Sequence, residues 1–491
     1  MKIVIIGSGI GGIATAALLS KSGHDVHVYD RLSSPGGRAG ILQKQGFTFD
    51  TGPSWYLMPE VFERFFRLID RDIQQELSLT RLSPAYRVFF DNMAPVDIMS
   101  EPESDAKTFE TIEPGAGKAL EKYVATSSKI YRTAIDHFLY KSYDRPRDFF
   151  DSQMTPHLGL TAKLISTPLH TFVSRFFRNQ KLQQILEYPT VFLGSSPFDA
   201  PALYSLMSAL DFEEGVFYPI GGIYQVIKKL HDASQSLGVH YHFNSDVKKI
   251  DVENGSARGI VLTDNSYVKA DIVISNADLH HTETALIERQ YQTFPKPYWD
   301  KKQPGPSALL LYIGLDHEVP ELRHHNLLFV DEWRQNFVAI HTDRTAPKRA
   351  SIYICAPSKS DSSLAPSGME NIFILVPLPS GGVIKDEDIA TLKVHYLQQI
   401  QTMTGVDFTQ GVIVDEQFTP SDFGTTYHAW NDTMLGLSHK LTQSAFFRPK
   451  NKSKKVRNLY YVGANTMPGI GLPLCLISAE LVARQIDEVK P

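Results

Sequence analysis

The sequence predicts an α/β fold whose first domain is interrupted by a second, α+β domain, and three observations carry that prediction. Residues 2–30 read as strand, glycine-rich turn, helix, strand and acidic residue in immediate succession. Strand-like segments return at 238–276 and again at 458–462, as if the chain came back to its first unit. A chain of 491 residues also exceeds one core of ordinary size, so two domains or one large intertwined pair are expected.

Taken in order, Lys2–Ile6 (KIVII) is an apolar, β-branched run suited to a buried parallel strand. Gly7-Ser8-Gly9-Ile10-Gly11-Gly12 follows, and Ile13 to Lys21 has a helix-like apolar pattern that Gly23 stops. Asp25–Tyr29 alternates as a second strand and ends at Asp30. This is the dinucleotide fingerprint in its structural context, so a Rossmann-like domain is expected. Gly7 permits the tight turn, Gly9 lets the backbone reach a pyrophosphate, and Gly12 lets helix and strand pack closely. The helix N-terminus offers free N–H groups to phosphate, and Asp30 stands where a carboxylate would take ribose hydroxyls.

Pro35-Gly36-Gly37-Arg38-Ala39-Gly40 adds a second glycine turn and a guanidinium directly after the acid. Such a pair suits a second approach to a bridging pyrophosphate, which a nicotinamide dehydrogenase does not need. Here the chain resembles the flavoproteins with two dinucleotide-binding motifs, in which GGRxG follows the acidic residue. The expected cofactor is therefore FAD rather than NAD.

Composition narrows the partners. A net charge of −5 and a pI near 6.4 argue against a nucleic-acid binder. Cys355 and Cys475 supply neither a disulfide framework nor CxxC spacing, and a reducing compartment is the simplest reading. Residues 3–20 carry no charge and imitate a signal peptide, but the glycine turn inside them argues for a structural role. No other uncharged apolar run is long enough to cross a bilayer.

Further along, Gln45–Thr51 reads as a strand leading into the turn Gly52-Pro53-Ser54-Trp55, and Met58–Asp70 as a helix. Residues 82–113 read as short strands and turns, and 117–178 as helical, with Pro146 breaking an aromatic stretch. Ile223–Leu237 is a helix followed by strands to Asn276. After Pro295 come strands at Ser307–Leu315, Ser351–Ala356, Ile372–Pro377 and Gly411–Phe418. Mostly antiparallel pairing is expected there, because only one connection, Asp386–Met403, is long and helical. Strand Asn458–Val462 and helix Leu472–Glu488 close the chain. The nucleotide domain is thus assigned to 1–85, 215–290 and 455–491, and the substrate domain to 86–214 and 291–454.

Asn458–Ser478 (NLYYVGANTMPGIGLPLCLIS) is similar to the C-terminal flavin signature of the bacterial-type phytoene desaturases, the carotenoid desaturase family of FAD-dependent oxidoreductases. Phe47–Ser54 (FTFDTGPS), Gly215–Gly222 (GVFYPIGG), Asp271–Asp278 (DIVISNAD), Asp361–Pro366 (DSSLAP) and Thr442–Pro449 (TQSAFFRP) match that family in order. The resemblance implies bound FAD, a flavin amine-oxidase-like (GR2) fold and a long apolar channel. It also implies peripheral attachment to the cytoplasmic membrane that holds the substrate. The implied cofactor site is Gly7, Ser8, Gly9, Gly11, Gly12, Asp30, Arg31, Gly36, Gly37, Arg38, Pro53, Ser54, Val247, Gly463, Ala464, Asn465, Met467, Gly471 and Leu472. Two positions depart from the family: Asp30, where Glu is commoner, and Met467, where His is frequent and the side chain is expected to face the flavin ring.

The activity so implied is desaturation of phytoene (C40) towards lycopene by hydride transfer to flavin, with oxygen or a quinone as acceptor. A C30 (diapophytoene) or hydroxylated substrate, or a redox-neutral carotene isomerase, would share the fold. More distant alternatives are an isoprenoid-binding relative without catalysis, like the GDP-dissociation inhibitors, and an amine oxidase. A carotene has no polar handle, so the site is expected to be a greasy slot, for which 28 Phe and 21 Tyr are suited. Removing CH–CH hydrogens also requires a group that takes a proton or stabilises positive charge. Arg147 and Asp148, after the Pro146 break, match an Arg-Asp pair of the family and are the candidate catalytic residues. The pairs His280-His281 and His324-His325 lack a third ligand in reach by sequence, so no metal site is expected. For membrane contact the candidates are the helical part at about 117–180, chiefly Lys163–Arg178, and the basic stretch Arg448–Arg457.

Overall fold

The computed structural model describes residues 1–143, 164–444 and 447–487. Lys2–Ile6 lies at the centre of a five-stranded parallel sheet, in the order Leu459–Tyr461, Ile272–Ser275, Lys2–Ile6, Asp25–Tyr29 and His240–His242. Three distant stretches of chain therefore build one sheet. Helix Ile10–Lys21 packs against helices Tyr224–Ser236 and Leu472–Asp487. Ala14, Ala16 and Ala17 are fully buried there, and their small side chains let the neighbours come close. A three-stranded antiparallel sheet, Val247–Glu253, Ser256–Leu262 and Tyr267–Lys269, is built from the same part of the sequence.

The second large sheet has seven strands: Val412–Phe418, Ser307–Leu315, Glu370–Leu378, Ile352–Cys355, His325–Phe329, Tyr86–Phe90 and Met93–Ile98. All its pairings are antiparallel except His325–Phe329 with Tyr86–Phe90. Ser307–Leu315 is buried along its whole length because its two faces meet two cores. Ala308, Leu310 and Tyr312 join the core shared with the helical segments, while Leu309, Leu311 and Ile313 join that of helix Asp386–Thr404. The alternation follows from the period of two along a strand.

Several sequence readings change. Residues 102–112, read as strand and turn, form the helix Pro102–Ile112. Its start signals are Pro102 at the first position and Glu103 and Asp105 in the first turn, but its face has few large apolar residues. The described part of Lys163–Arg178 is not one interfacial helix. Pro168 cannot continue a helix from the preceding turn, so a short helix, Leu169–Val173, starts after it. Leu169, Phe172, Val173 and Phe177 are packed into the core rather than offered to a surface. The basic stretch is also partly used internally. Arg448 is fully buried, donating to the carbonyls of Ala464 (2.5 Å) and Thr466 (3.2 Å). Arg457 donates to Ser256 and Asn254, and Lys450 to the carbonyls of Ser142 and Tyr143.

Candidate functional site: a glycine-lined cradle opening into an apolar chamber

Three glycine turns from three parts of the chain converge at the C-terminal edge of the parallel sheet. Gly7 has φ +94°, and its carbonyl oxygen lies 3.4 Å from the Asn276 amide that donates to it. Gly36 and Gly37 have φ +116° and +56°, and the Gly36 N–H donates to the Ser8 carbonyl at 2.9 Å. Gly463, with φ +106°, completes the floor: a Cβ on Gly11 would meet its Cα at 3.3 Å. Only backbone without side chains fits where these segments meet, so a ligand can approach the main chain closely; the N–H groups of Gly7, Gly36 and Gly463 are themselves taken by the Tyr29 carbonyl, the Ser8 carbonyl and the Ser478 hydroxyl.

Asp30, which lines the cradle, also has a use the sequence did not suggest. Its Oδ2 accepts from both the N–H and the hydroxyl of Ser8, each at 2.6 Å, and its Oδ1 accepts from Leu32 N–H at 2.8 Å. The carboxylate thus holds the first turn in shape, and of its roughly four acceptor directions few remain for a ribose. Arg38 lines the same space, and its Nε and one terminal nitrogen are buried without a hydrogen-bond partner. A buried guanidinium with unmet donors is what a diphosphate would satisfy, so these residues fit a dinucleotide with a bridging pyrophosphate.

The cradle is one end of a cavity of about 490 Å³. Gly7, Gly9, Gly11, Asp30, Arg31, Gly36, Gly37, Arg38, Pro53, Ser54, Val247, Gly463, Ala464, Gly471 and Leu472 line it. Ser8 and Gly12 stand behind the wall, Ser8 bonded to Asp30 and Gly12 against the Gly7 carbonyl. Asn465 is set back as well, donating to Asp278 at 3.0 Å. Met467 is not in the wall of this cavity: it is buried against Tyr143 and Phe138. Arg147 and Asp148 lie outside the described residues.

The other end of the cavity is apolar. Trp55, Tyr188, Phe192, Phe329, Trp333 and Phe337 line it, with Leu310, Leu327 and Phe373 from the seven-stranded sheet. Among the described residues, the carboxylates and guanidinia of the wall are Asp30, Arg31, Arg38, Asp246 and Asp278, all close in sequence to the nucleotide strands. Sequence reasoning placed aromatic residues in a slot but named none of these, since they come together only by folding. Several polar groups accompany this end, Asn336, Ser351 and Tyr353 among them, and two titratable ones bear on its chemistry. His341 lines the cavity, and burial pulls its pKa down to about 4, so it is a neutral imidazole. Asp211 lies behind the wall, taking hydrogen bonds from Tyr86 (2.8 Å) and from the cavity-lining Tyr188 (3.2 Å). Burial raises its pKa to about 7, opposed by those two hydroxyls.

A dinucleotide cradle continuous with an apolar chamber defines the class as a cofactor-dependent oxidoreductase. The profile of the family described as flavin containing amine oxidoreductase matches residues 10–487, and the chain belongs to that family, with FAD as its cofactor. The chain is 40% identical to a carotenoid 3,4-desaturase of Haloarcula japonica, over 99% of this chain and 98% of that one. It is 34% identical to a zeta-carotene-forming phytoene desaturase of Myxococcus xanthus, over 99% and 93%. A 4,4'-diapophytoene desaturase of Staphylococcus aureus is 32% identical, over 100% and 98%. Among solved structures, an oxidoreductase from Methanosarcina mazei superposes with a TM-score of 0.65 at 18% identity, covering 99% and 100%, which shows the shared fold.

Proposed function

We propose that the chain is an FAD-dependent carotenoid desaturase that introduces double bonds into phytoene. The observation that carries this reading is the chamber itself, continuous with the cradle and, among the described residues, without carboxylate or guanidinium at its aromatic end. Among the described residues an amine substrate would find no counter-charge there, whereas a polyene is bound by apolar burial at about 25 cal/mol per Å². In desaturation one C–H leaves as hydride and the neighbouring C–H as a proton, with the remaining electron pair forming the C=C bond. Bound FAD supplies the hydride acceptor. The chain's own part is to hold the polyene straight, exclude water, and accept the proton or balance the developing positive charge. Arg147 and Asp148 are our candidates for that last role.

One feature favours a second reading, a hydroxylated carotenoid as substrate. The neutral His341 imidazole in the wall can donate to or accept from a hydroxyl end group, and a hydrocarbon has no use for it. In either case the substrate dissolves in lipid, so we propose that the protein works at a membrane surface. No helix among the described residues is long and apolar enough to cross a membrane. Among the described residues of these two stretches, exposed cations that could make such contact include Arg175, Arg178, Lys452, Lys454 and Lys455. Oxygen or a quinone would reoxidise the flavin.

The test is anaerobic incubation of the yellow protein with liposomes carrying phytoene or a hydroxylated carotenoid. Bleaching of the flavin band with a red-shifted polyene spectrum is expected, and the preferred substrate separates the two readings. A changed polyene without bleaching would make the protein an isomerase. No change with either substrate would overturn the proposal.

A further inference from the structure

We propose that His324, His325 and Cys355 form a copper(I) site in the core of the seven-stranded sheet, one residue behind the cavity wall. The fold, not the spacing in the chain, makes the cluster. His325 and Cys355 are direct partners on the antiparallel strands His325–Phe329 and Ile352–Cys355, and His324 immediately precedes the first strand. The three residues each bring a ligand-competent atom to within 4.8 Å of the others'. Exposures are 4%, 0% and 3%, so nothing solvates these groups. The sequence reading found no third ligand for this histidine pair; Cys355 is thirty residues away and arrives by strand pairing.

The second observation is an unmet need. The Nδ1 atoms are already engaged, His324 with the Ser360 hydroxyl at 2.9 Å and His325 with the Tyr353 hydroxyl at 2.7 Å. Outer hydroxyls of this kind orient metal-bound imidazoles and set their tautomer. Both Nε2 atoms, in contrast, are buried with no hydrogen-bond partner. A core held together by hydrogen bonds alone would leave two ring nitrogens unsatisfied, at a cost in stability, and a metal ion removes that cost.

Charge decides which ion. Two neutral imidazoles and one thiolate around copper(I) sum to zero, and a soft d¹⁰ ion accepts three ligands that include sulfur. Zinc(II) would leave a net positive charge in the core and seek a fourth ligand, and among the described residues the cluster has three members. On binding, the Cys355 S–H bond breaks, its proton goes to solvent, and an S–Cu bond forms, with no change in the oxidation state of copper. The ion would tie the two strands together behind Trp55, whose ring stacks on His325 at 4.1 Å, and behind Tyr353. Both of those residues line the cavity.

The FAD-loaded protein is titrated anaerobically with copper(I) against bathocuproine disulfonate, a chromogenic chelator. One equivalent per chain withdrawn from the chelator is expected. Cys355→Ser and His324→Gln should bind about 100-fold more weakly with unchanged flavin absorbance, and Ser360→Ala, which removes only an outer hydroxyl, about 10-fold more weakly. Copper should also raise the melting temperature of the wild type and not that of Cys355→Ser. The proposal is overturned if the wild type withdraws no copper, if the ligand variants and Ser360→Ala all bind as the wild type does, or if zinc takes the site in preference to copper(I).

Discussion

Gly12→Ala tests whether the cradle depends on close approach between strand and helix. A Cβ at Gly12 would stand 2.1 Å from the Gly7 carbonyl oxygen and 3.2 to 3.3 Å from the Asn276 side chain. The first contact is with backbone, so it cannot be relieved by a rotamer change; helix and turn must separate by roughly 1 Å, and overpacking of this kind costs roughly 1–3 kcal/mol. Separation displaces the Gly9 backbone, one turn away, from the position that would meet the cofactor. If that strain falls on the bound state, FAD affinity drops by roughly 5- to 150-fold at about 1.4 kcal/mol per tenfold. Gly23→Ala is the control: its φ is +84° but nothing lies within 4 Å, so it carries backbone strain of about 1 kcal/mol without touching the cradle. The assay is quenching of flavin fluorescence on titrating apoprotein, with urea unfolding of both variants alongside. Gly12→Ala binding FAD within twofold of wild type at undiminished stability would refute the reasoning. So would Gly23→Ala weakening binding equally.

Arg38→Met should weaken FAD binding by about 10- to 100-fold while leaving the apoprotein as stable as wild type or more so, because it removes buried donors that have no partner in the chain; urea midpoints with and without FAD check both signs. Asp211→Asn probes pH dependence. Its carboxyl is raised from 3.8 to about 7 by burial, so its favourable contribution is fully present below 3.8 and lost as pH rises through about 7. The shift corresponds to an upper bound of about 4 kcal/mol, so wild type should lose stability relative to the Asn variant between pH 4 and 8, and parallel urea midpoints at the two pH values would reject this. Asp148→Asn should keep normal FAD content and lower turnover by roughly tenfold to a thousandfold, and full activity would remove Asp148 from the mechanism. Charge reversal at Arg175, Arg178, Lys452, Lys454 and Lys455 should reduce co-sedimentation with anionic liposomes, since each cation near such a surface contributes about 1 kcal/mol; an unchanged pellet would rule these positions out.

The sequence by itself determined the nucleotide cradle. Strand, glycine turn and helix are contiguous over residues 2–21, and the demand for glycine at 7, 36 and 463 is a backbone demand written at single positions. The family blocks likewise carried the flavin cofactor and the amine-oxidase-like fold, because each is a short local signature. The tertiary structure alone decided what the chamber is made of. Trp55, Tyr188 and Phe329 are far apart in the chain, and an aromatic residue reads the same whether it lines a cavity or fills a core. It alone showed that Phe172 and Phe177 face inward, that Arg448 is buried among carbonyls, and that Asp30 is bound to Ser8. Cys355 reached His324 and His325 through strand register, which no spacing in the sequence records. The physical reason is common to all of these. Backbone geometry and helix termini are dictated by neighbours in sequence, whereas burial, pKa and the company of a side chain are set by residues brought together only when the sheets close on each other.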